Sequence, residues 1–425
     1  MFLRYFLLPL TISMAISCTA QKQKAKTSVS TTNGTSASGI LTGADQPERY
    51  LPLLKGKTIA VFANQTSIKG NGHIVDFLQK NGVKISVIFG PEHGFRGNAP
   101  DGAKIETATD AATGIPVVSL YGKKNKPSPD DLKGVDLMVY DIQDVGARFY
   151  TYISSLQYYL EAAIENNIPL LILDRPNPNG FYVDGPVLDT AFKSFVGMQP
   201  IPVAYGMTIG EYAQMLLNEG WLSATANKAY QRIIASRYRA GARFFQLQVI
   251  PCAHYDHTST YRLPVRPSPN LPDMSSIYWY PSTCLFEGTI ISEGRGTPAP
   301  FAIIGHPDLP KTLYAFTPDS TEGAPRPKFK GQVCYGWNLT GTAEQVLSKV
   351  QHKMQLGYLL QAYQLYPDKK NFFKENGFNR LAGNDQLIRQ IREGQSEAQI
   401  RQSWEPALSR FKAIRKKYLL YADFE

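Results

Sequence analysis

Cysteine is scarce: four in 425 residues. With Cys18 set aside, Cys252, Cys284 and Cys334 are odd in number, permit at most one bridge and lack the pairwise spacing of a zinc site, so they read as structural. No Gly-x-Ser-x-Gly elbow is present, which argues against a serine nucleophile of that kind. Gly70-Asn71-Gly72-His73 lacks the third glycine of a dinucleotide fingerprint, and no phosphate-binding lysine motif occurs, so a nucleotide is not expected. Beyond the amino end, no apolar run is long enough to span a bilayer. Acidic residues are the minority, giving a formal charge of +10. The basic residues are scattered among acids rather than gathered into a binding motif, which argues against nucleic acid as a partner. Their densest cluster, Arg410 to Lys417, has helical spacing and reads as a solvated helix face.

What is present is a globular composition, 43% hydrophobic and 19% charged, over a length that suits about two or three domains. Arg4 precedes an apolar stretch from Tyr5 to Ile16, followed by Ser17-Cys18. This is the pattern of a secretory signal over residues 1–18 with a lipobox-like cysteine, too short for a transmembrane helix. Cys18 is the expected lipidation site, and the chain is expected as an exported envelope lipoprotein on the periplasmic side of a membrane. Residues 19–45, rich in Ser, Thr, Gly, Ala and Lys, read as a flexible linker.

From Lys57 to about Trp221 the chain alternates strand, polar loop and helical pattern, the signature of an α/β, Rossmann-like domain with a mainly parallel sheet. The expected strands are Thr58–Phe62, Lys84–Phe89, Pro116–Leu120, Leu137–Tyr140 and Pro169–Leu173, with a further one at Phe244–Val249. Their near-continuous apolar character fits strands covered on both faces. The expected domains are residues 46–225 and a smaller α+β domain over 226–425. Asn379 to Glu405 reads as amphipathic helix.

Each strand runs into polar residues: Asn64-Gln65-Thr66, Glu92-His93, Tyr121-Gly122, Asp141 to Asp144, and Asp174 to Pro178. Ligands of open parallel sheets bind at such carboxyl ends. The same residues also suit helix caps and turns. Thr208-Ile209-Gly210-Glu211 has capping-box spacing, which explains Glu211 without catalysis. His254 and His257 invite a metal-dependent deacetylase or amidase reading, but no further ligands follow at a fixed spacing.

Gly90-Pro91-Glu92-His93-Gly94-Phe95-Arg96-Gly97 sets an acid, an imidazole and a guanidinium among glycines straight after a strand. Glycoside hydrolysis needs a carboxylic acid to protonate the leaving oxygen and commonly a second carboxylate as base or nucleophile. Glu92 suits the first role. Asp141, Asp144, Glu287 and Glu293 are candidates for the second, and His93 can orient either.

This octet, together with Asp141-Ile142-Gln143-Asp144-Val145-Gly146-Ala147-Arg148-Phe149-Tyr150-Thr151-Tyr152, Leu173 to Pro178, and Glu293-Gly294-Arg295-Gly296-Thr297, resembles the NamZ family of exo-β-N-acetylmuramidases, long catalogued as a domain of unknown function. The resemblance runs from about Tyr50 to the carboxyl terminus. It implies an active cleft between two domains, release of N-acetylmuramic acid from non-reducing ends of peptide-free peptidoglycan (a MurNAc-GlcNAc glycan), and no cofactor. Carried onto this chain it places Glu92, His93, Asp141, Asp144 and Glu293 in the catalytic set, and Arg96, Arg148, Tyr150, Asp174, Arg175, Asn177 and Arg295 around the substrate. Muramic acid carries a lactyl carboxylate, for which Arg96, Arg148 or Arg295 could supply a guanidinium fork. A lipoprotein that binds wall glycan without cleaving it is the alternative.

Overall fold

The computed structural model describes residues 1, 39–92, 94–96, 108–236 and 245–425; Cys18 and His93 lie outside them. Strands β1 (Thr58–Ala63), β2 (Ile68–Lys69), β3 (Gly72–His73), β4 (Lys84–Gly90), β5 (Ala108–Thr109), β6 (Pro116–Ser119), β7 (Leu137–Asp141), β8 (Leu170–Leu173) and β9 (Leu247–Ile250) make up the amino-terminal part. Seven of them form one sheet in the order β5-β6-β4-β1-β7-β8-β9, parallel throughout except for β5 at its edge. The small pair β2–β3 stands apart as an antiparallel ribbon.

Strand β1 shows why these runs are continuously apolar. Ala60 and Phe62 enter the core on one face of the sheet, whereas Ile59, Val61 and Ala63 enter a second core on the other. Successive side chains of a strand point to opposite faces, so a sheet covered twice demands apolar residues at every position. Helices α1 (Pro47–Leu54) and α2 (Ile74–Lys80) contribute Tyr50, Leu54, Ile74, Val75 and Leu78 to the second core. The first is covered by α3 (Tyr152–Glu165) and α4 (Ile209–Asn218), with α5 (Ala224–Ser236) packed behind. Phe62, Tyr140 and Tyr159 meet there, with Phe62 and Tyr140 stacked at 5.0 Å.

The sheet takes its last strand from beyond residue 226: Leu170 to Leu173 pair with Leu247 to Ile250. A division at 225/226 would therefore cut the sheet, and the α+β half with its own architecture begins later. Helix α6 (Met274–Thr283) is entirely buried. It leads to a three-stranded antiparallel sheet of β10 (Ile303–His306), β11 (Tyr314–Phe316) and β12 (Cys334–Asn338), with β12 central. Five helices follow: α7 (Ala343–Val350), α8 (Gly357–Leu365), α9 (Glu375–Ala382), α10 (Gln386–Arg392) and α11 (Glu397–Arg415). The helix expected over Asn379 to Glu405 is thus three separate pieces. Gly383 and Gly394, at φ +78° and +74°, take the left-handed conformation that ends a helix.

The expected flexible linker also ends earlier than residue 45. Ile40 and Ala44 are buried, Leu41 pairs with Ala253, and Gly43 donates its N–H to the Asp174 carbonyl at 2.8 Å. Gly43 lies so close to β8 and β9 that a Cβ there would meet the Ile250 oxygen at 2.4 Å. Composition could not reveal this, because Gly and Ala serve a close packing as readily as a tether. The basic carboxyl-terminal helix has one exception to its solvated face: Arg415 is fully buried, bonding the Gly206 carbonyl and the Asp423 carboxylate. Cys252, Cys284 and Cys334 are free and buried. No helix among the described residues is long and apolar enough to cross a membrane.

Candidate active site

Strand β4 lies on one side of β1 and β7 on the other, so the chain reverses its direction of travel across the sheet at β1. Crevices form at such switch points, outside the carboxyl ends of the strands. A cavity of about 480 Å³ opens there. Its lining combines Glu92 from beyond β4, Tyr121 from beyond β6 and Phe149 to Tyr152 at the start of α3 with Ser268, Asn270, Leu271, Tyr280, Glu287, Arg295 and Phe301 from the carboxyl-terminal half.

Thr151 occupies the N-cap position of α3 without capping it; its hydroxyl instead donates to Glu92 Oε2 at 3.1 Å. The neighbouring tyrosines are fixed from both halves. The hydroxyls of Tyr150 and Tyr152 donate to the Pro267 carbonyl at 2.9 and 3.2 Å, and Asn64 Nδ2 donates to the Tyr152 oxygen at 2.9 Å. Burial pushes both phenols far above their usual ionisation, so they are neutral donors at physiological pH. Tyr150 also meets Tyr152 and Tyr280 edge-on at 4.6 and 5.9 Å. Tyr121 and Phe195 approach within 6.1 Å along the same cavity. Aromatic walls with a few polar groups suit a sugar, which has apolar faces and a polar rim.

On the far side Arg295 Nη2 bonds Glu287 Oε1 at 2.6 Å, while its Nε faces Glu293 Oε1 at 3.4 Å. Glu293 is buried and also meets Lys328 Nζ at 2.8 Å. Burial alone would raise its pKa, but Lys328 and Arg295 outweigh that and hold it below the usual carboxylate range. Glu293 is therefore an internal counter-ion one residue removed from the cavity wall.

Most of the other expected site residues lie behind this wall. Asp141 and Arg175 form a buried two-pronged ion pair at 2.6 and 3.0 Å. Burial pushes the Asp141 carboxyl up and Arg175 pulls against it. Asp144 accepts from the Tyr205 hydroxyl at 2.5 Å and the Gly146 N–H at 2.6 Å, and burial raises its pKa to about 7. Asp174 accepts from Thr208, Gly210 and Tyr421, tying the start of α4 and the carboxyl-terminal tail to β8. Asn177 shapes its own turn, accepting from Asn179 N–H and donating to the Met207 carbonyl. Arg148 is completely buried and donates to the carbonyls of Pro186, Ile201 and Leu381, a framework role that removes it from the candidate substrate ligands. Arg96 is clasped by Asp110 through two bonds of 3.0 and 2.8 Å. It does not line the cavity among the described residues.

Of the expected residues, then, Glu92, Tyr150, Glu287 and Arg295 reach the cavity, and His93 lies outside the described residues. The capping box at Thr208 and Glu211 is formed. Glu211 also receives the Leu420 N–H and meets His257 Nε2 at 3.0 Å, while His257 Nδ1 faces the Gly180 carbonyl. Both ring nitrogens of His257 are thus occupied, and no group of three or more metal-binding side chains occurs among the described residues. Thr151, Asn270 and Tyr280 line the cavity without being among the expected site residues, whereas Tyr121 stands in one of the polar loops expected at the strand ends. Nothing in a lone hydroxyl, amide or ring announces a cavity, although Thr151 stands within the Asp141 to Tyr152 motif.

Two families match the chain: the N-terminal part of exo-β-N-acetylmuramidase NamZ over residues 59–275 and its C-terminal part over 278–421. The chain is 40% identical over 399 residues to the peptidoglycan β-N-acetylmuramidase NamZ of Bacillus subtilis, covering 88% of this chain and 89% of that one. Two solved Bacteroides fragilis proteins described as DUF1343 family members share its fold. One is 43% identical with a TM-score of 0.79, the other 27% identical with a TM-score of 0.69; each comparison covers 90% of this chain and 99% of the other.

Proposed function

Since the chain belongs to the NamZ family of exo-β-N-acetylmuramidases, we propose that it releases N-acetylmuramic acid from the non-reducing ends of peptide-free peptidoglycan chains during wall turnover and recycling. It is a glycosidase of peptidoglycan. The observation that carries the reading is Glu92, set by Thr151 on the rim of an aromatic cavity at the carboxyl end of the parallel sheet. As the acid, Glu92 delivers its proton to the glycosidic oxygen as the bond to the anomeric carbon breaks. Tyr150 and Tyr152 form a fixed wall beside it.

The decisive experiment is release of N-acetylmuramic acid from a chromogenic β-muramide by the full chain and by Glu92→Gln. Cleavage that drops by about 10²- to 10⁴-fold in the variant supports the reading, this being the usual size of general acid catalysis. Binding of the sugar without cleavage by either protein would leave a glycan-binding lipoprotein in its place.

The Arg4 to Cys18 segment supports export and lipidation at Cys18, which would anchor the protein on the periplasmic side of a membrane. Labelling with a fatty-acid analogue that Cys18→Ala abolishes would establish the anchor; unaltered labelling would refute it.

A further inference from the structure

Four carboxylates present themselves as partners of Glu92, and the structure separates them. Asp141 is sealed in its ion pair with Arg175, Asp144 is buried against Tyr205, and Glu293 is enclosed by Lys328 and Arg295. Side-chain exposure is 0% for Asp141 and 4% for Glu293, against 30% for Glu287. Among the described residues, Glu92 and Glu287 are the carboxylates that line the cavity, one from the end of β4 and the other from the 3₁₀ turn Cys284–Gly288 after α6.

Glu287 is held by a chain of alternating charge. Lys328 pairs with Glu293, Glu293 faces Arg295, and Arg295 bonds Glu287. The Arg295 guanidinium also lies 5.1 Å from the centre of the Phe301 ring. Lys328 Nζ donates in addition to the carbonyls of Phe286, Thr289 and Ile291, which flank Glu287 in sequence. One ammonium thus pins the turn that carries Glu287 and anchors the counter-ion of the arginine that orients it. Such support on a buried framework is what a reacting group needs, because a displacement of about 1 Å costs about 10²-fold in rate. A surface ion pair left to itself would contribute little.

We propose that Glu287 is the second carboxylate of the cleavage, the base that activates water, and that Arg295 is its positioning residue. The assignment rests on the muramidase reading above. In one turnover Glu92 gives its proton to the departing glycosidic oxygen, which leaves with the electron pair of its bond to the anomeric carbon. A water oxygen bonds that carbon from the opposite face and loses one proton to Glu287. The products together have gained one water, and proton exchange with solvent restores both carboxyl groups.

The test uses the full chain, the chromogenic β-muramide, and the variants Glu287→Ala, Glu287→Gln and Arg295→Met. Both Glu287 variants should melt near the parent temperature and lose about 10²- to 10⁴-fold in kcat. Azide should restore Glu287→Ala at least about tenfold, since a small anion can take the place of the activated water, and yield the α-configured muramyl azide. The parent should release α-N-acetylmuramic acid first. In Arg295→Met, kcat should fall more than KM rises, and the acidic limb of the kcat/KM profile should move to higher pH, because the carboxylate loses its cation. Activity within about tenfold of the parent in Glu287→Gln, loss without an azide adduct, or a β-configured first product overturns the assignment. Failure of both Glu287 variants to fold would make Glu287 a structural partner and overturns it as well. If the parent itself cleaves no muramide, the functional reading fails first and this assignment with it.

Discussion

The Thr151 hydroxyl donates to Glu92 Oε2 at 3.1 Å across a gap of 59 residues, joining the start of α3 to the loop after β4. The N-cap position normally accepts a backbone N–H, and here that service is given up to orient a carboxyl group. Replacement of Thr151 by Val keeps the shape and removes the donor. The expected result is a kcat lower by about tenfold, with KM little changed and the melting temperature near that of the parent, since one hydrogen bond contributes about 0.5–1.5 kcal/mol. Steady-state kinetics on the chromogenic muramide, paired with a thermal melt, check it; an unchanged kcat would detach Thr151 from the chemistry.

Arg148 stands inside a motif that resembles a catalytic one, yet its guanidinium serves three carbonyls. Arg148→Met should destabilise the chain by several kcal/mol, because each abandoned buried acceptor costs about 1–3 kcal/mol. Whatever fraction folds at low temperature should bind substrate with the parent KM. A raised KM in a fully folded variant would return Arg148 to the substrate site.

The Asp141–Arg175 pair predicts an asymmetric outcome. Asp141→Asn or Arg175→Met alone leaves an uncompensated buried charge or donor and should cost about 3–5 kcal/mol. Replacing both by apolar residues of similar volume should recover a large part of that loss. Urea denaturation of the two single variants and the double variant measures the coupling, and strictly additive losses would contradict it.

Stability should fall as pH rises through the weakly acidic range. The Asp144 carboxyl ionises near 3.8 in an unfolded chain and near 7 when buried here, so between those values the folded state holds the extra proton. The unfolded state then gains relative to the folded one with increasing pH, and the effect levels off above about pH 7. Asp174, raised to about 6 by burial, adds a slope of the same sign that ends earlier. In Asp144→Asn the fall between pH 6 and pH 7 should largely vanish. Denaturation free energies at pH 4.5, 6 and 7.5 test this, and an equal slope in parent and variant would rule it out.

The sequence by itself determined the parallel strands β1, β4, β6, β7 and β8, whereas the edge strand β5 and the place of β9 in the same sheet came only with the tertiary structure. Runs such as Thr58 to Phe62 and Leu137 to Tyr140 are apolar at every position because both faces of the sheet are covered, and that requirement is written in consecutive residues. It also placed Glu92 directly after a strand, where an open parallel sheet puts its ligands. The capping box at Thr208 was equally local and equally legible. What only tertiary structure decided was which charged residues face the cavity. Asp141, Asp144, Asp174, Arg148 and Arg175 sit at or beyond strand ends that look alike in sequence, and each is buried among partners 34 or more residues away or on main-chain atoms of other elements. Glu287 and Glu293 stand six positions apart beside the same arginine, yet one lines the cavity and the other is enclosed by Lys328. Local sequence fixes backbone preference and the periodicity of burial, whereas the fate of a charge depends on the counter-ions and carbonyls that distant segments bring to it. Those distances are set only when the two halves of the chain close around the cavity.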